Sequence, residues 1–167
     1  MNTKRDFRRM SFYHVYDRGH RKARLYRSIK DYKLFVNLIY KYIKFYDLVL
    51  VSYCLMPNHF HLLLRLGESK TDISRFMQRL KTSYALYFNR KYFLTGTPFQ
   101  GKYKTNYIDD SNSLVNTIKY IENNPAEAKQ YQKKGKYKWV FTNQRFLASS
   151  PIRIFKNQTP PSCYNLT

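Results

Sequence analysis

The spacing of apolar and polar residues along the chain predicts strands and helices in a regular order. An aromatic and β-branched stretch over 12–19 ends at a glycine and predicts a first strand. A capping-box pair followed by apolar residues at helical spacing predicts a helix over 29–46. Two apolar runs, 48–55 and 59–66, are joined by a short turn that contains proline, so they predict a hairpin.

The second half of the pattern opens with a long apolar stripe at helical spacing, which predicts a helix that begins at Asp72. A segment with glycine and proline ends this helix, and a fourth strand is predicted over 102–108. A third helix is predicted over 113–123, closed by Pro125. The order of these elements predicts an α+β sandwich in which helices cover one face of a single antiparallel sheet.

The pattern weakens near residue 130, which predicts one domain over 1–130 and a partly ordered C-terminal appendage over 131–167. Cys54 and Cys163 stand far apart and outside any Cys-x-x-Cys pair, so the chain suits a reducing compartment rather than a disulfide framework. No export signal follows the basic N-terminus, and no apolar run approaches the roughly 18 residues of a membrane span. We therefore expect a soluble, cytoplasmic protein.

Charge adds a class of partner to this picture. The chain has 31 Lys and Arg against 10 Asp and Glu, a net charge of +21, and it also carries 17 Tyr. Such a charge favours a polyanion, and aromatic residues among basic ones can stack on nucleic-acid bases. The candidates for phosphate contact lie on the polar side of the second helix, on the fourth strand and at the N-terminus: Arg75, Arg79, Lys102, Lys104, Arg8 and Arg9.

Two histidines in the hairpin are the first candidates for chemistry. Because successive side chains on a strand point to opposite faces, His59 and His61 project from the same side. In the third helix, Tyr120 lies more than about 90° from the centre of the apolar stripe, and Asn124 follows it by one turn. Each residue alone also fits an ordinary role: hydrogen-bonded sheet histidines, a surface tyrosine, and an asparagine that caps a helix before Pro125.

Five stretches carry a family resemblance, and they are YHVYDRGH, YCLMPNHFHLLL, SRFMQRLKTSYALYFNRKY, PFQGKYKTNYI and YIENNP. In this order and at these separations they resemble the single-tyrosine HUH transposases and, within them, the REP-associated tyrosine transposases. REP denotes a repetitive extragenic palindrome. The resemblance covers about 12–124, and its most specific part is the His-hydrophobic-His motif that ends at His61.

The resemblance implies a fold and a reaction. The fold is a ferredoxin-like or RRM-like sandwich with helices on one face of the sheet. In the reaction, His59, His61 and Asn124 bind a divalent metal ion, Mg²⁺ or Mn²⁺, and Tyr120 attacks single-stranded DNA. The tyrosine keeps the 5′ phosphate, so the strand can be rejoined elsewhere. The implied substrate is a REP-type DNA hairpin with a short single-stranded foot.

Several alternatives stay open at the level of sequence. Asn123 stands where related sequences usually have an apolar residue, so it competes with Asn124 for the role of third ligand. The chain could also be a nucleic-acid-binding module of the same fold without turnover. A third alternative is a dimeric mobile-element transposase that acts on its own ends. No apolar interface stripe stands out, which favours a monomer.

Overall fold

A computed structural model describes residues 7–68, 73–127 and 137–149 of the chain. The described strands are β1 (Phe12–Arg18), β2 (Leu48–Met56), β3 (His59–Leu66), β4 (Lys104–Ile108) and β5 (Val140–Thr142). The described helices are α1 (Ile29–Ile43), α2 (Ile73–Tyr92), α3 (Ser111–Glu127) and α4 (Gln144–Ser149), with a 3-10 turn at His20–Lys22.

The strands form one sheet in the order β4-β1-β3-β2-β5, and every neighbouring pair is antiparallel. The first four strands with α1 and α2 give the β-α-β-β-α-β order of a ferredoxin-like fold, in which β1 and β3 lie at the centre. The predicted α+β class and antiparallel sheet are confirmed. This topology puts the histidine-bearing strand β3 beside β1 in the middle of the sheet.

The two faces of the sheet are covered by different helices. One core joins α1 and α2 to the inward side chains of the sheet, including Val15, Phe60 and Leu62. A second, smaller core joins α3 to the opposite side chains, including Cys54 and Leu63. The prediction that helices cover one face therefore holds for α1 and α2 and is wrong for α3, because the apolar stripe of α3 packs on the other face.

Helix α3 also extends further than the sequence predicted. The predicted end was residue 123, before Pro125, but the helix continues to Glu127 with Pro125 inside it. A proline costs a backbone hydrogen bond there. Both Asn124 and Pro125 are buried, and Asn124 contacts β3, so tertiary packing outweighs this local preference. Asn124 consequently stays one helical turn beyond Tyr120.

Part of the C-terminal region belongs to the sheet. Strand β5 pairs with the outer edge of β2, and the Tyr137 hydroxyl donates a hydrogen bond to the Leu55 carbonyl at 2.5 Å. The Trp139 ring stacks on Tyr32 with 4.6 Å between ring centroids. Residues 131–136 and 150–167, which include Cys163, lie outside the described residues, as does Asp72. Among the helices in the described ranges, none has the length and apolar character needed to cross a membrane.

Candidate functional site

His59 and His61 occupy the face of β3 that is turned toward α3. His61 pairs with Tyr16 on β1 and with Cys54 on β2, so it lies at the centre of the sheet. Its side chain is buried, whereas that of His59, at the start of the strand, is half-buried. The two ring centroids are 5.1 Å apart and nearly perpendicular, at 88°. Strand alternation thus brings the imidazoles together as the sequence predicted.

Asn124 comes to both imidazoles from the last turns of α3. Its Oδ1 atom is 3.1 Å from His59 Nε2, and its Nδ2 atom is 3.5 Å from His61 Nε2. The side chain is buried, at 7% exposure. Asn123 is exposed, so the helix turns that neighbouring amide away from the buried site.

Tyr120 lies on the same helix and faces the histidines. Its ring meets the His61 ring edge-on, with 5.4 Å between centroids and an angle of 89°. The residue is 43% exposed, in contrast to the buried stripe residues Leu114 and Ile121. A phenol that is both accessible and beside the histidines can reach a DNA strand that enters from solvent.

Two further side chains, neither of them predicted from the sequence, contact the Nδ1 atoms of the imidazoles. Asn58 Oδ1 lies 2.8 Å from His59 Nδ1, and His14 Nε2 lies 2.9 Å from His61 Nδ1. The sequence pattern places His14 on the predicted first strand. Only the register between β1 and β3 shows that its side chain contacts His61. Asn58 directly precedes His59, so its contact is local.

Burial keeps these imidazoles neutral. Desolvation lowers the pKa of His61 to about 3, and repulsion from His14 and His59 acts in the same direction. Burial lowers the pKa of His14 to about 4. Burial also lowers the pKa of His59, although Asn124 Oδ1, which can accept a hydrogen bond from the protonated ring, opposes this shift. Near neutral pH the rings therefore present lone pairs, which is the form that binds metal ions.

The donor set fits a single divalent cation. Ligands about 2.1 Å from one ion lie roughly 3.0 Å apart at a right angle and roughly 3.4 Å apart at the tetrahedral angle. The 3.1 Å contact between Asn124 Oδ1 and His59 Nε2 matches these separations. The 3.5 Å contact to His61 Nε2 comes from Asn124 Nδ2, which is not a metal ligand, and it places the second imidazole beside the same amide. In the described part of the chain, no group of three or more His, Cys, Asp or Glu could hold a metal ion, so a site here needs the amide.

A cavity of about 740 Å³ opens beside the histidines and Tyr120. Basic, polar and aromatic side chains also line it: Tyr16, Arg18, Lys22, Gln100, Lys102 and Lys104. Arg18 donates a hydrogen bond to Gln100, and Lys81 pairs with Asp17 and donates to the Gly101 carbonyl. These contacts hold the loop before β4 against the end of β1. Lys102 and Lys104, two of the predicted DNA contacts, therefore lie at the site.

The loop after β1 is also tied to the histidine hairpin. The Gly19 backbone N–H donates to the Asn58 carbonyl at 2.7 Å, and the Leu25 N–H donates to the Pro57 carbonyl at 2.7 Å. A Cβ atom at Gly19 would lie 2.0 Å from the Ala23 carbonyl oxygen, so this close approach requires glycine.

The remaining predicted DNA contacts lie away from this cavity. Arg75 and Arg79 are exposed on α2 and line a separate groove of about 620 Å³ with Tyr42 and Tyr46. Arg8 lies over the Tyr107 ring, 5.1 Å from its centroid, near the far end of β4. Arg9 is exposed beside it in sequence. The structure thus separates the predicted set into a site-lining pair and two remote pairs.

Comparison with known families identifies the class. Residues 10–124, more than half of the chain, match the family model described as "Transposase IS200 like". The chain therefore belongs to the IS200-like transposase family. Transposases are enzymes that cut DNA and transfer its strands. The matched residues include β1, the histidine hairpin and the part of α3 that carries Tyr120, and these elements form the site.

Two solved structures resemble the fold. One is a REP-associated tyrosine transposase bound to a REP hairpin, which is 17% identical over 91% of this chain and 89% of its own, with a TM-score of 0.70. The other is a candidate transposase from Deinococcus radiodurans R1, which is 19% identical over 74% of this chain and 97% of its own, with a TM-score of 0.50. A comparison with curated protein sequences gives no match.

Proposed function

We propose that this protein cleaves and rejoins single-stranded DNA next to hairpins of the REP type through a covalent 5′-phosphotyrosine at Tyr120. The observation that carries the proposal is the convergence of Tyr120 with His59, His61 and Asn124 on one face of the sheet. Three elements far apart in sequence, β1, β3 and α3, meet there beside a basic cavity.

His59, His61 and Asn124 would hold a divalent metal ion, Mg²⁺ or Mn²⁺. When bound, such an ion neutralises phosphate charge and orients the phosphorus for attack. The protein's part is to present two neutral imidazoles and one amide oxygen, with His61 and Asn124 buried and His59 half-buried. Imidazole ligands favour Mn²⁺ over Mg²⁺ by softness, so Mn²⁺ is the better probe.

The proposed reaction conserves the energy of the DNA bond. The Tyr120 phenol oxygen forms a bond to phosphorus and loses its proton, while the bond from phosphorus to the 3′ oxygen breaks and that oxygen leaves as a hydroxyl. The strand's 5′ phosphate stays on the protein. A 3′ hydroxyl from another strand can then attack the phosphotyrosine, release the phenol and complete the transfer without ATP.

The basic cavity supports single-stranded DNA as the substrate. Lys22, Lys102 and Lys104 line it and are exposed, so they can neutralise phosphates that flank the reacting one. The structural neighbour is bound to a REP hairpin, and we extend that type of substrate to this chain. We further propose that one monomer carries a complete site, because His61 contacts both Tyr120 and His59 within one chain.

The test is a covalent-adduct assay. Wild-type protein is mixed with a labelled hairpin that has single-stranded flanks, in Mn²⁺ or in chelator, and analysed on a denaturing gel. We expect a slow-migrating protein–DNA adduct that requires Mn²⁺. Tyr120→Phe should abolish the adduct and the cleavage, on the order of 10³-fold or more, because the nucleophile is lost, yet leave hairpin binding within about twofold.

Tyr107→Phe is a matched control for this experiment. Tyr107 is also 43% exposed, but it lies on β4 outside the cavity lining. This variant should form the adduct at the wild-type rate. If Tyr120→Phe still forms the adduct, another nucleophile acts and the proposal is wrong. Binding of the hairpin by wild-type protein without any cleavage would instead indicate a binding module that lacks turnover.

A further inference from the structure

In both imidazoles of the site, the ring nitrogen that faces away from Asn124 contacts another side chain. His59 Nδ1 contacts Asn58 Oδ1 at 2.8 Å, and His61 Nδ1 contacts His14 Nε2 at 2.9 Å. Each contact occupies Nδ1 and leaves Nε2 directed at Asn124. An imidazole with its proton on Nδ1 has its lone pair on Nε2, so the outer partner decides which nitrogen can bind a metal ion.

We propose that Asn58 and His14 are positioning residues that hold His59 and His61 as Nδ1–H tautomers, so that both Nε2 lone pairs face the metal site. This inference rests on the proposed function, because it assigns the two residues to the metal site described there. Neither residue touches the reacting DNA in this role, and each acts through one imidazole.

The orientation of the Asn58 amide fixes the tautomer of His59. Asn58 Nδ2 lies 3.4 Å from the Lys22 carbonyl oxygen, which can only accept a hydrogen bond. The Oδ1 atom of Asn58 therefore faces His59 Nδ1. An amide oxygen is also only an acceptor, so the proton in this contact belongs to Nδ1. The hydrogen bond from Gly19 to the Asn58 carbonyl keeps the residue in place.

The tautomer of His61 follows from its two neighbours. If His61 Nδ1 donates to His14 Nε2, then His61 Nε2 has a lone pair that accepts from Asn124 Nδ2. In the reverse arrangement, His61 Nε2 carries a proton and faces the protons of Asn124 Nδ2. With the Asn124 amide as this structure places it, only the first arrangement avoids two facing donors.

The same assignment of protons and lone pairs identifies the position of a cation. His59 Nε2 and Asn124 Oδ1 are then two lone-pair atoms 3.1 Å apart with no proton between them. Such a pair is repulsive until a positive ion sits beside both atoms. His14 is also well held for its role, because it is buried and its ring lies nearly parallel to the rings of His61 and Tyr16, at centroid distances of 5.1 and 5.0 Å.

The first test uses wild-type protein without metal and needs no variant that could misfold. The chain has four histidines, His14, His20, His59 and His61, so nitrogen-15 labelling of histidine gives a small set of ring signals. Long-range proton–nitrogen NMR at neutral pH reports which ring nitrogen carries the proton. We expect Nδ1–H for both His59 and His61. A proton on Nε2 of either residue overturns the proposal for that residue.

The second test compares variants that remove or keep the acceptor. His14→Leu and Asn58→Ala remove it, and each should weaken Mn²⁺ binding, measured by calorimetry without DNA, by about 10- to 100-fold. His14→Gln and Asn58→Asp offer an oxygen at a similar reach and should recover most of that loss. In His14→Leu, His61 should also show a mixture of tautomers. A purely structural role predicts no rescue by His14→Gln and no change of tautomer, and that result overturns the proposal.

A control and the adduct assay separate this inference from the proposed function. His20 is exposed and does not line the cavity, so His20→Leu should bind Mn²⁺ like wild type. If wild-type protein shows the Nδ1–H tautomers and acceptor-dependent Mn²⁺ binding but forms no DNA adduct, the positioning role stands and the proposed reaction fails. If the adduct forms while His14→Leu keeps both its Mn²⁺ affinity and the His61 tautomer, the reaction stands and the positioning role fails.

Discussion

At the scale of single residues, the choice between two adjacent asparagines has a structural basis. Both were candidates for the third ligand, but a helix turns consecutive side chains about 100° apart. Asn124 points into the buried site and contacts His59, whereas Asn123 is exposed. The assignment of Asn124 as a ligand remains a prediction that metal binding can test.

We expect Asn124→Ala to weaken Mn²⁺ binding by at least about tenfold, because one of the three donors is lost. Asn124→Asp keeps an oxygen at the same reach and adds a negative charge, so it should bind Mn²⁺ at least as tightly as wild type. Calorimetric titration of the metal into DNA-free protein measures both effects.

Asn123→Ala is the matched control, since it removes an identical side chain from the next position of the same helix. Its Mn²⁺ affinity should equal that of wild type within about twofold. If the losses are reversed between the two alanine variants, the third ligand is Asn123 and the end of α3 rearranges when metal binds.

At the level of residues, the sequence could predict only the features that depend on local geometry. The alternation of a strand placed His59 and His61 on one face, and the helical wheel separated Tyr120 from the core residues Leu114, Ile118 and Ile121. His14 could not be found in this way, because its contact with His61 depends on how β1 and β3 align. That register is set by tertiary packing, and a shift by one residue would turn His14 to the other face.

At the scale of elements, tertiary packing also explains why two predictions for α3 were wrong: the face of the sheet that it covers and the residue at which it ends. The apolar stripe of α3 was visible, but a stripe does not tell which face of the sheet receives it. Pro125 is a strong local signal for a helix end, yet the contacts of Asn124 and the burial of Pro125 outweigh it. Elements with independent local signals, such as the capping box before α1, were predicted to within a few residues at the start.

The N-terminus of α1 is joined to α2 by Asp31, which is completely buried. Burial acts to raise the pKa of this carboxyl, but hydrogen bonds from the Lys91 and Tyr92 side chains, the Arg27 backbone and the Tyr87 side chain outweigh it. The resulting pKa is lowered to about 2. One carboxylate thus completes the capping box and ties two helices together.

Asp31 makes a specific contribution to stability that depends on pH. Its pKa is lower in the folded protein than in the unfolded chain, so the stabilisation is present above about pH 4 and is lost as the pH falls toward about 2. Between about pH 5 and about pH 2, the free energy of unfolding of wild type should fall by about 2 kcal/mol more than that of Asp31→Asn. Urea unfolding followed by circular dichroism at both pH values measures this difference.

Glu68→Gln provides the comparison for Asp31→Asn, because Glu68 is an exposed carboxylate in the part of the chain that the structure describes. Its pH dependence should match that of wild type within about 0.5 kcal/mol. Equal pH dependence in wild type and Asp31→Asn would show that the unfolded chain retains the contacts of Asp31 or that other groups stabilise the α1–α2 pair.

At the scale of the whole molecule, the charge of +21 predicted a polyanionic partner but not where it binds. The fold assigns different positions to the predicted basic residues. Lys102 and Lys104 lie at the cavity beside Tyr120, whereas Arg75 and Arg79 line a groove between α1 and α2, which pack on the other face of the sheet. Total charge sets the strength of attraction to a polyanion, and this distribution predicts that the two pairs contact different parts of a bound DNA.

We therefore expect substitutions in the two basic pairs to have different effects on DNA affinity. A short single strand that fills only the cavity should bind less tightly to the Lys102→Gln/Lys104→Gln variant. The slope of log affinity against log salt concentration should fall by about 1.4, since each phosphate contact on a single strand contributes about 0.7.

The Arg75→Gln/Arg79→Gln variant should bind that strand like wild type and lose affinity only for a longer hairpin substrate. Fluorescence anisotropy over a series of salt concentrations measures both slopes, and adduct formation at saturating DNA serves as the second readout. If the arginine variant also loses its salt slope on the short strand, then single-stranded DNA crosses from the cavity to the α1–α2 groove, and one continuous path around the edge of the sheet replaces two separate contacts.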